Sequence, residues 1–278
     1  MKINALLSEL GQSLGLRCIN LLARLGAYEV SCDIAYAEQN RQRLDYYRLP
    51  GDAERPLVLF FYGGNWQSGR RQDYRFVADT LIQLGCDVVV PDYRLYPEVR
   101  FEQIIADASA ATHWVLNNTP AHQPVFVMGH SAGAQIGALM CLNESLLDLP
   151  AAVRGRIKGF IGLAGPYDFF PFTEDPHWDL FGPEEHYPLS QAVNFVRADA
   201  PPMYLLHGSD DRRVRRGHSK SLMEKLQAVG GPAAREVYEG LGHVEIIVSF
   251  SRLHRQNNPV IRHIADFIRD PNSVMVRG

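Results

Sequence analysis

The segment Val127-Met128-Gly129-His130-Ser131-Ala132-Gly133-Ala134 constrains this chain more than any other. An apolar run at 125–128 ends in glycine–X–serine–X–glycine and passes directly into a helical pattern at 132–146. A serine at such a corner bends sharply from strand to helix, and the flanking glycines let backbones approach closely. Its hydroxyl then stands clear at the end of a strand. The N–H of Ala132, at a helix N-terminus, faces the place where negative charge develops on an attacked carbonyl. Gly133, Ala134, Gly137 and Ala138 keep the helix slim enough to lie close against a sheet.

The rest of the chain can supply that sheet. Strand-like runs occur at 28–36, 43–49, 57–62, 87–91, 125–128, 157–163, 203–207 and 235–239. The first two are mixed or alternating, with Gln39-Asn40 between them as a turn, so they read as an antiparallel hairpin at one edge. The runs at 57–62, 87–90 and 125–128 are continuously apolar, as strands covered on both faces must be. Helical patterns at 73–84, 101–117, 132–146, 218–229 and 260–268 separate them. The alternation predicts a mostly parallel sheet of about eight strands with helices on both faces. One stretch, 166–202, keeps no period and crowds Tyr167, Phe169, Phe170, Phe172, Trp178, Phe181, Tyr187 and Phe195 together. So long an irregular insertion inside a domain is expected to form a cap or pocket wall. Tyr167, Phe169, Phe170 and Trp178 are its candidate pocket residues, together with Trp66 and His130.

Composition narrows the partners. The 278 residues carry 28 Lys and Arg against 31 Asp and Glu, which offers no basic face for nucleic acid. No apolar run is long enough for a transmembrane segment. The four cysteines, Cys18, Cys32, Cys86 and Cys141, form no metal-binding spacing, and a chain this large needs no disulfides. Reduced thiols and a cytoplasmic location are the expectation, with Cys86 and Cys141 as small buried hydrophobes. Segment 1–27 repeats apolar residues at helical spacing: Ile3, Leu6, Leu7, Leu10, Leu14, Cys18, Leu21, Leu22 and Leu25. It is expected as an amphipathic helix before a single domain at 28–278. Such a helix ordinarily packs as a cap on the domain; the alternatives are association with a membrane surface or with a second copy in a homodimer.

A serine hydroxyl attacks only when a base takes its proton, and that base needs an acid behind it. The order on such a sheet is serine, acid, histidine. His207-Gly208-Ser209-Asp210-Asp211 follows one apolar run and Gly240-Leu241-Gly242-His243 follows the last. Ser131, Asp211 and His243 are therefore the expected triad, with Asp210 and the more remote Asp168 as other candidates for the acid. His207 is expected to orient the acid loop, while His113, His254 and His263 lie in helical patterns. The loop after the third run, Tyr62-Gly63-Gly64-Asn65-Trp66, supplies oxyanion-hole candidates Gly63, Gly64 and Asn65 beside Ala132. Arg212, Arg213, Arg215 and Arg216 read as a solvated cluster, and Asp92 with Arg94 as a structural pair beneath the oxyanion loop.

From about 34 to 268 the chain resembles the α/β-hydrolase fold esterase and lipase group that includes hormone-sensitive-lipase-like esterases and kynurenine formamidases. That group's H-G-G-x-W loop is similar to residues 62–66, and its D-Y-R-L-x-P-E segment to residues 92–98. Its H-G-x-x-D-x-x-V loop matches His207 to Val214, which assigns the acid to Asp211. The resemblance implies a carboxylic ester hydrolase acting through an acyl-enzyme on small-molecule esters, with no metal and no organic cofactor. An arylformamidase acting on an N-formyl aromatic amide is the alternative, and a non-catalytic binding protein on the same scaffold is a third. Some similar proteins carry a lipoprotein signal, but Leu16-Arg17-Cys18 lacks the small residues it requires. Tyr62 stands where the group has histidine. Its hydroxyl is expected to bond a neighbour and so take over the bracing of the loop.

Overall fold

In the computed structural model, which describes residues 15, 18–51 and 54–275, the apolar runs become one eight-stranded sheet. Its strands are β1 (Glu29–Ala35), β2 (Arg43–Arg48), β3 (Leu57–Phe61), β4 (Asp87–Pro91), β5 (Val125–His130), β6 (Ile157–Leu163), β7 (Met203–Gly208) and β8 (Ala233–Tyr238). They lie in the order β1-β2-β4-β3-β5-β6-β7-β8. β1 and β2 pair antiparallel, as does β2 with β4, and every other pairing is parallel. The two early strands thus form the antiparallel edge.

The main helices are α1 (Arg75–Gln83), α2 (Phe101–Asn118), α3 (Ala132–Leu142), α4 (Asp175–Leu180), α5 (Gly217–Ala228) and α6 (Pro259–Arg269). Neighbouring residues of one strand show that both faces are covered. Val127 and Phe160 crowd Gly137 of α3, whereas Phe126 and Gly159 meet Phe267 of α6. Strands β3 to β6 are accordingly buried almost throughout. At roughly 1.5–3 kcal/mol for each large apolar side chain removed from water, this double-sided core anchors the loops at the strand ends.

Two element ends differ from the sequence pattern. The helix expected to run to 146 stops at Leu142, because the Asn143 side chain accepts the Ser145 N–H and turns the chain into a short 3₁₀ segment. β8 begins two residues early, where Ala233 joins the ladder opposite Met203. Near the N-terminus, residues 18–23 are helical, with Ile19 and Ala23 buried and Leu21 and Leu25 exposed. Most of the expected 1–27 helix, including Ile3, Leu6, Leu7, Leu10 and Leu14, lies outside the described residues. Among the described residues no helix is long and apolar enough to cross a membrane.

The sheet order places the functional loops. From β3 the chain steps to β4 on one side, then returns to β5 on the other, so the crossover direction reverses at the β3–β5 pair. A cleft opens outside the carboxyl ends of strands at such a point. The glycine loop follows β3, Ser131 follows β5, and the segments holding Asp211 and His243 follow the adjacent strands β7 and β8.

Candidate active site

Ser131 occupies a backbone conformation with φ 54° and ψ −125°. A non-glycine residue there costs about 1–3 kcal/mol and persists only when its surroundings enforce it. They do so here: Ser131 N–H donates to the Leu163 carbonyl of β6 (2.9 Å), and the Ser131 carbonyl accepts from Ala134 N–H (2.9 Å). The flanking glycines are a packing necessity. A Cβ on Gly129 would stand 2.2 Å from the Gly133 carbonyl oxygen, and one on Gly133 would stand 2.1 Å from the Phe61 carbonyl oxygen.

The hydroxyl so presented meets a relay of hydrogen bonds. His243 Nε2 lies 2.9 Å from Ser131 Oγ, and His243 Nδ1 lies 2.8 Å from Asp211 Oδ2. The Asp211 side chain is buried, and its other oxygen accepts the backbone N–H groups of Arg213 and Val214, both at 2.9 Å. His207 approaches the same carboxylate oxygen as His243: its Nε2 is 3.3 Å from Asp211 Oδ2 and 2.9 Å from the Val214 carbonyl oxygen. Burial pushes the Asp211 carboxyl up. Hydrogen bonds from His207 and His243 outweigh that effect and hold it well below the usual carboxylate range. Asp210 engages Ser209 and Leu241, and Asp168 engages Ser221 and Lys225.

The glycine loop is tied from behind. Tyr93 Oη donates to the Tyr62 carbonyl (2.7 Å), Tyr74 Oη reaches the Gly63 carbonyl (3.4 Å), and Arg41 holds the Gly69 carbonyl (2.7 Å). A trans peptide points its N–H opposite to its carbonyl. The N–H groups of Gly63 and Gly64 therefore face away from the two tyrosine hydroxyls. Gly63 also packs so tightly on the elbow that a Cβ there would lie 2.8 Å from Ser131 Cβ. Gly64, Asn65 and Trp66 follow with φ of 139°, 53° and 58°.

Tyr62 is fully buried between the rings of Tyr74 and Tyr93, with centroids 5.2 and 4.8 Å away. Its hydroxyl donates to Asp92 Oδ1 (2.7 Å) and accepts from Arg41 Nη2 (3.1 Å). The expected bond from this hydroxyl is therefore present. Asp92 is held in turn by the Arg71 guanidinium, whose Nε also bonds Asp45 at 2.8 Å. The Asp92–Arg94 pair expected from sequence does not form. Arg94 faces the other way and closes a bidentate pair with buried Asp107, and the better-buried Arg71 takes Asp92.

His130 lies between the two loops. Its Nε2 is 2.9 Å from the His243 carbonyl oxygen, and its ring centroid is 4.9 Å from that of His243. Among the described residues its buried Nδ1 has no hydrogen-bond partner. Burial, with the nearby His243 acting in the same direction, pulls its pKa down to about 3, so it stays neutral.

A cleft of about 710 Å³ lies over Ser131, lined by Gly63, Gly64, Asn65, Trp66, His130, Phe169 and His243 among others. Trp66 stacks on Phe169 and donates to Gln135. Three of the expected pocket residues are elsewhere. Tyr167 folds its buried ring back over β6, where only glycine at 162 leaves it room. Phe170 and Trp178, 52% and 40% exposed, pack with Phe172 and Tyr187 on the outer side of the insertion. The insertion contributes Pro166, Thr173, Glu174 and His177 instead. His177 Nε2 lies 3.0 Å from Asn65 Oδ1, while Asn65 Nδ2 donates to Glu174 (3.1 Å). No sequence spacing pointed to these two. Arg212 and Arg213, both exposed, also line the cleft.

The BD-FAE family profile matches residues 44–226. An isoprenylcysteine alpha-carbonyl methylesterase of Arabidopsis thaliana is 29% identical over 79% of this chain and 58% of its own length. The chain thus spans little more than half of that relative. A kynurenine formamidase of Danio rerio is 30% identical over 50% of this chain and 47% of its own. Among solved structures, a truncated carbohydrate esterase from gut microbiota superposes with a TM-score of 0.72 at 18% identity, covering 88% of this chain and 97% of that one. Thermogutta terrifontis esterase 2, phosphoramylated by tabun, gives 0.70 at 21% identity, covering 88% and 94%.

Proposed function

The chain belongs to the BD-FAE family and has the α/β-hydrolase fold, and from that premise we propose that it is a serine hydrolase of small carboxylic esters. The observation that carries this is the continuous hydrogen-bonded line from Ser131 Oγ through His243 to Asp211 on the floor of the cleft. Ser131 Oγ attacks the ester carbonyl while His243 Nε2 takes its proton, and Asp211 keeps the imidazole in the right tautomer. The N–H groups of Gly63, Gly64 or Asn65, with that of Ala132, stabilise the oxyanion. Ala132 is the first residue of α3, so its N–H has no acceptor within the helix. The C–O bond then breaks, the leaving oxygen receives the proton from His243, and water repeats the sequence to free Ser131.

Arylformamidase activity is the second reading. The Danio rerio relative is a kynurenine formamidase, and the Trp66–Phe169 stack offers an aryl group an aromatic wall. In either case residues 166–202 serve as a wall of the substrate pocket. Labelling with a fluorophosphonate probe tests the hydrolase: the parent chain should be modified at Ser131 and the Ser131→Ala variant should not. An unmodified parent would leave a binding protein on a hydrolase scaffold. Hydrolysis of aryl acetates against N-formylkynurenine, run side by side, separates the two enzymatic readings.

A further inference from the structure

The charges around the cleft are unevenly spread. On the glycine-loop side stands Glu174, its carboxylate engaged by Asn65 and 3.6 Å from His177. On the acid-loop side stand Arg212 and Arg213. Their backbone cannot drift, because Asp211 Oδ1 accepts both the Arg213 and Val214 N–H groups and His207 holds the Val214 carbonyl. The Arg212 side chain is exposed and makes no ion pair or hydrogen bond among the described residues. His218, also in the lining, donates Nδ1–H to the Asp168 carbonyl, and burial lowers its pKa.

The direction of the reaction says what those arginines meet. His243 Nε2 must reach first the Ser131 hydroxyl and then the departing atom, so the leaving group lies on the His243 side of the scissile carbon. That side is also the acid-loop side, because Asp211 holds His243. Resting on the hydrolase reading above, we infer that Arg212, with Arg213 beside it, recognises a carboxylate carried by the leaving half of the substrate. A guanidinium presents two parallel N–H donors that fit a carboxylate, which a neutral leaving group would leave unused.

A matched pair of esters tests this: 3-acetoxybenzoate and 3-acetoxybenzamide share the acetyl group and the phenol skeleton and differ in one charge. The parent chain should favour the benzoate in kcat/KM. Arg212→Gln should lower the benzoate-to-benzamide ratio about three- to five-fold, mainly through KM, the size expected of one solvent-screened charged contact. Arg212→Lys should keep part of the preference, and raising the ionic strength should shrink it in the parent. A ratio unchanged by Arg212→Gln would overturn the inference and leave the hydrolase standing. Failure of the parent to turn over either ester, with no fluorophosphonate labelling, would remove the hydrolase and this inference together.

Discussion

The two loops that flank Ser131 are built by opposite means. The acid loop, 207–214, is held from within: Asp211 accepts backbone N–H groups two and three residues ahead, and His207 caps the Val214 carbonyl. The glycine loop, 62–69, is held from outside by Tyr74, Tyr93 and Arg41, and through Tyr62 by Asp92 and Arg71. A self-contained loop carries its geometry in a short motif. A loop braced from behind spreads its dependence over residues far apart in sequence and remote from substrate. Damage to the first should be sharp and local, while damage to the second should be graded and come from unexpected places.

The largest effect is expected in the acid loop. Asp211→Asn should cost about four orders of magnitude in kcat, because the amide favours the wrong imidazole tautomer. Steady-state kinetics on a good ester would read this. A loss below ten-fold would mean that the loop's acid is not the orienting group.

His130 joins the two loops, and its effect should appear in stability. Its ordinary pKa of 6.5 is lowered by burial to about 3 in the folded chain. Between those values the unfolded chain binds more protons. The stability His130 contributes is therefore fully present above 6.5 and is lost as pH falls towards 3, by up to about 1.4 kcal/mol per pH unit. Urea unfolding at neutral and mildly acidic pH should show a shallower acid slope for His130→Asn than for the parent. Equal slopes would show that the ring is not neutralised by burial.

A smaller, graded effect belongs to the brace. Tyr62→Phe removes one hydroxyl from Asp92 without touching a donor to substrate. It should lower kcat about ten-fold with little change in KM, since the donors lose preorganisation before they lose contact. Unchanged kcat would make Tyr62 a space-filling residue and break the contrast between the loops. The smallest effect is expected from Asp210→Asn, adjacent to the acid yet turned towards Ser209. Its kcat should stay within about two-fold of the parent, and a collapse there would shift the acid by one residue.

The contrast also explains what could be read in advance. The elbow, the alternation of strands and helices, and the His207–Val214 motif were legible, because each depends on contacts within a few residues or on apolar period. The need of Tyr62 for a hydrogen-bond partner was legible as well, since a buried hydroxyl seeks one. Its partner Asp92 is thirty residues away, just past β4, and pairs with Arg71 instead of the Arg94 that the sequence suggests. Arg94 and Arg71 are both arginines with an aspartate in reach along the fold, and the assembled fold pairs Arg71 with Asp92 and Arg94 with Asp107.

Chain order and pattern alone therefore indicated the class of fold, the serine corner and the two loops that carry Asp211 and His243, while the choice of Asp211 over Asp210 came from the resemblance. The signals themselves are local, glycines flanking a serine or an aspartate that bonds its own turn, even though the Leu163 carbonyl of β6 and the Phe61 carbonyl of β3 help to enforce the elbow. Tertiary structure decided which rings of 166–202 face the cleft and which face solvent, that Glu174 and His177 clasp Asn65, and that Arg212 stands at the cleft. Those outcomes rest on how β3 is interleaved between β4 and β5 and on competition among several equally suitable partners. A side chain's choice between such partners is settled by depth and direction, which exist only once the sheet has been assembled.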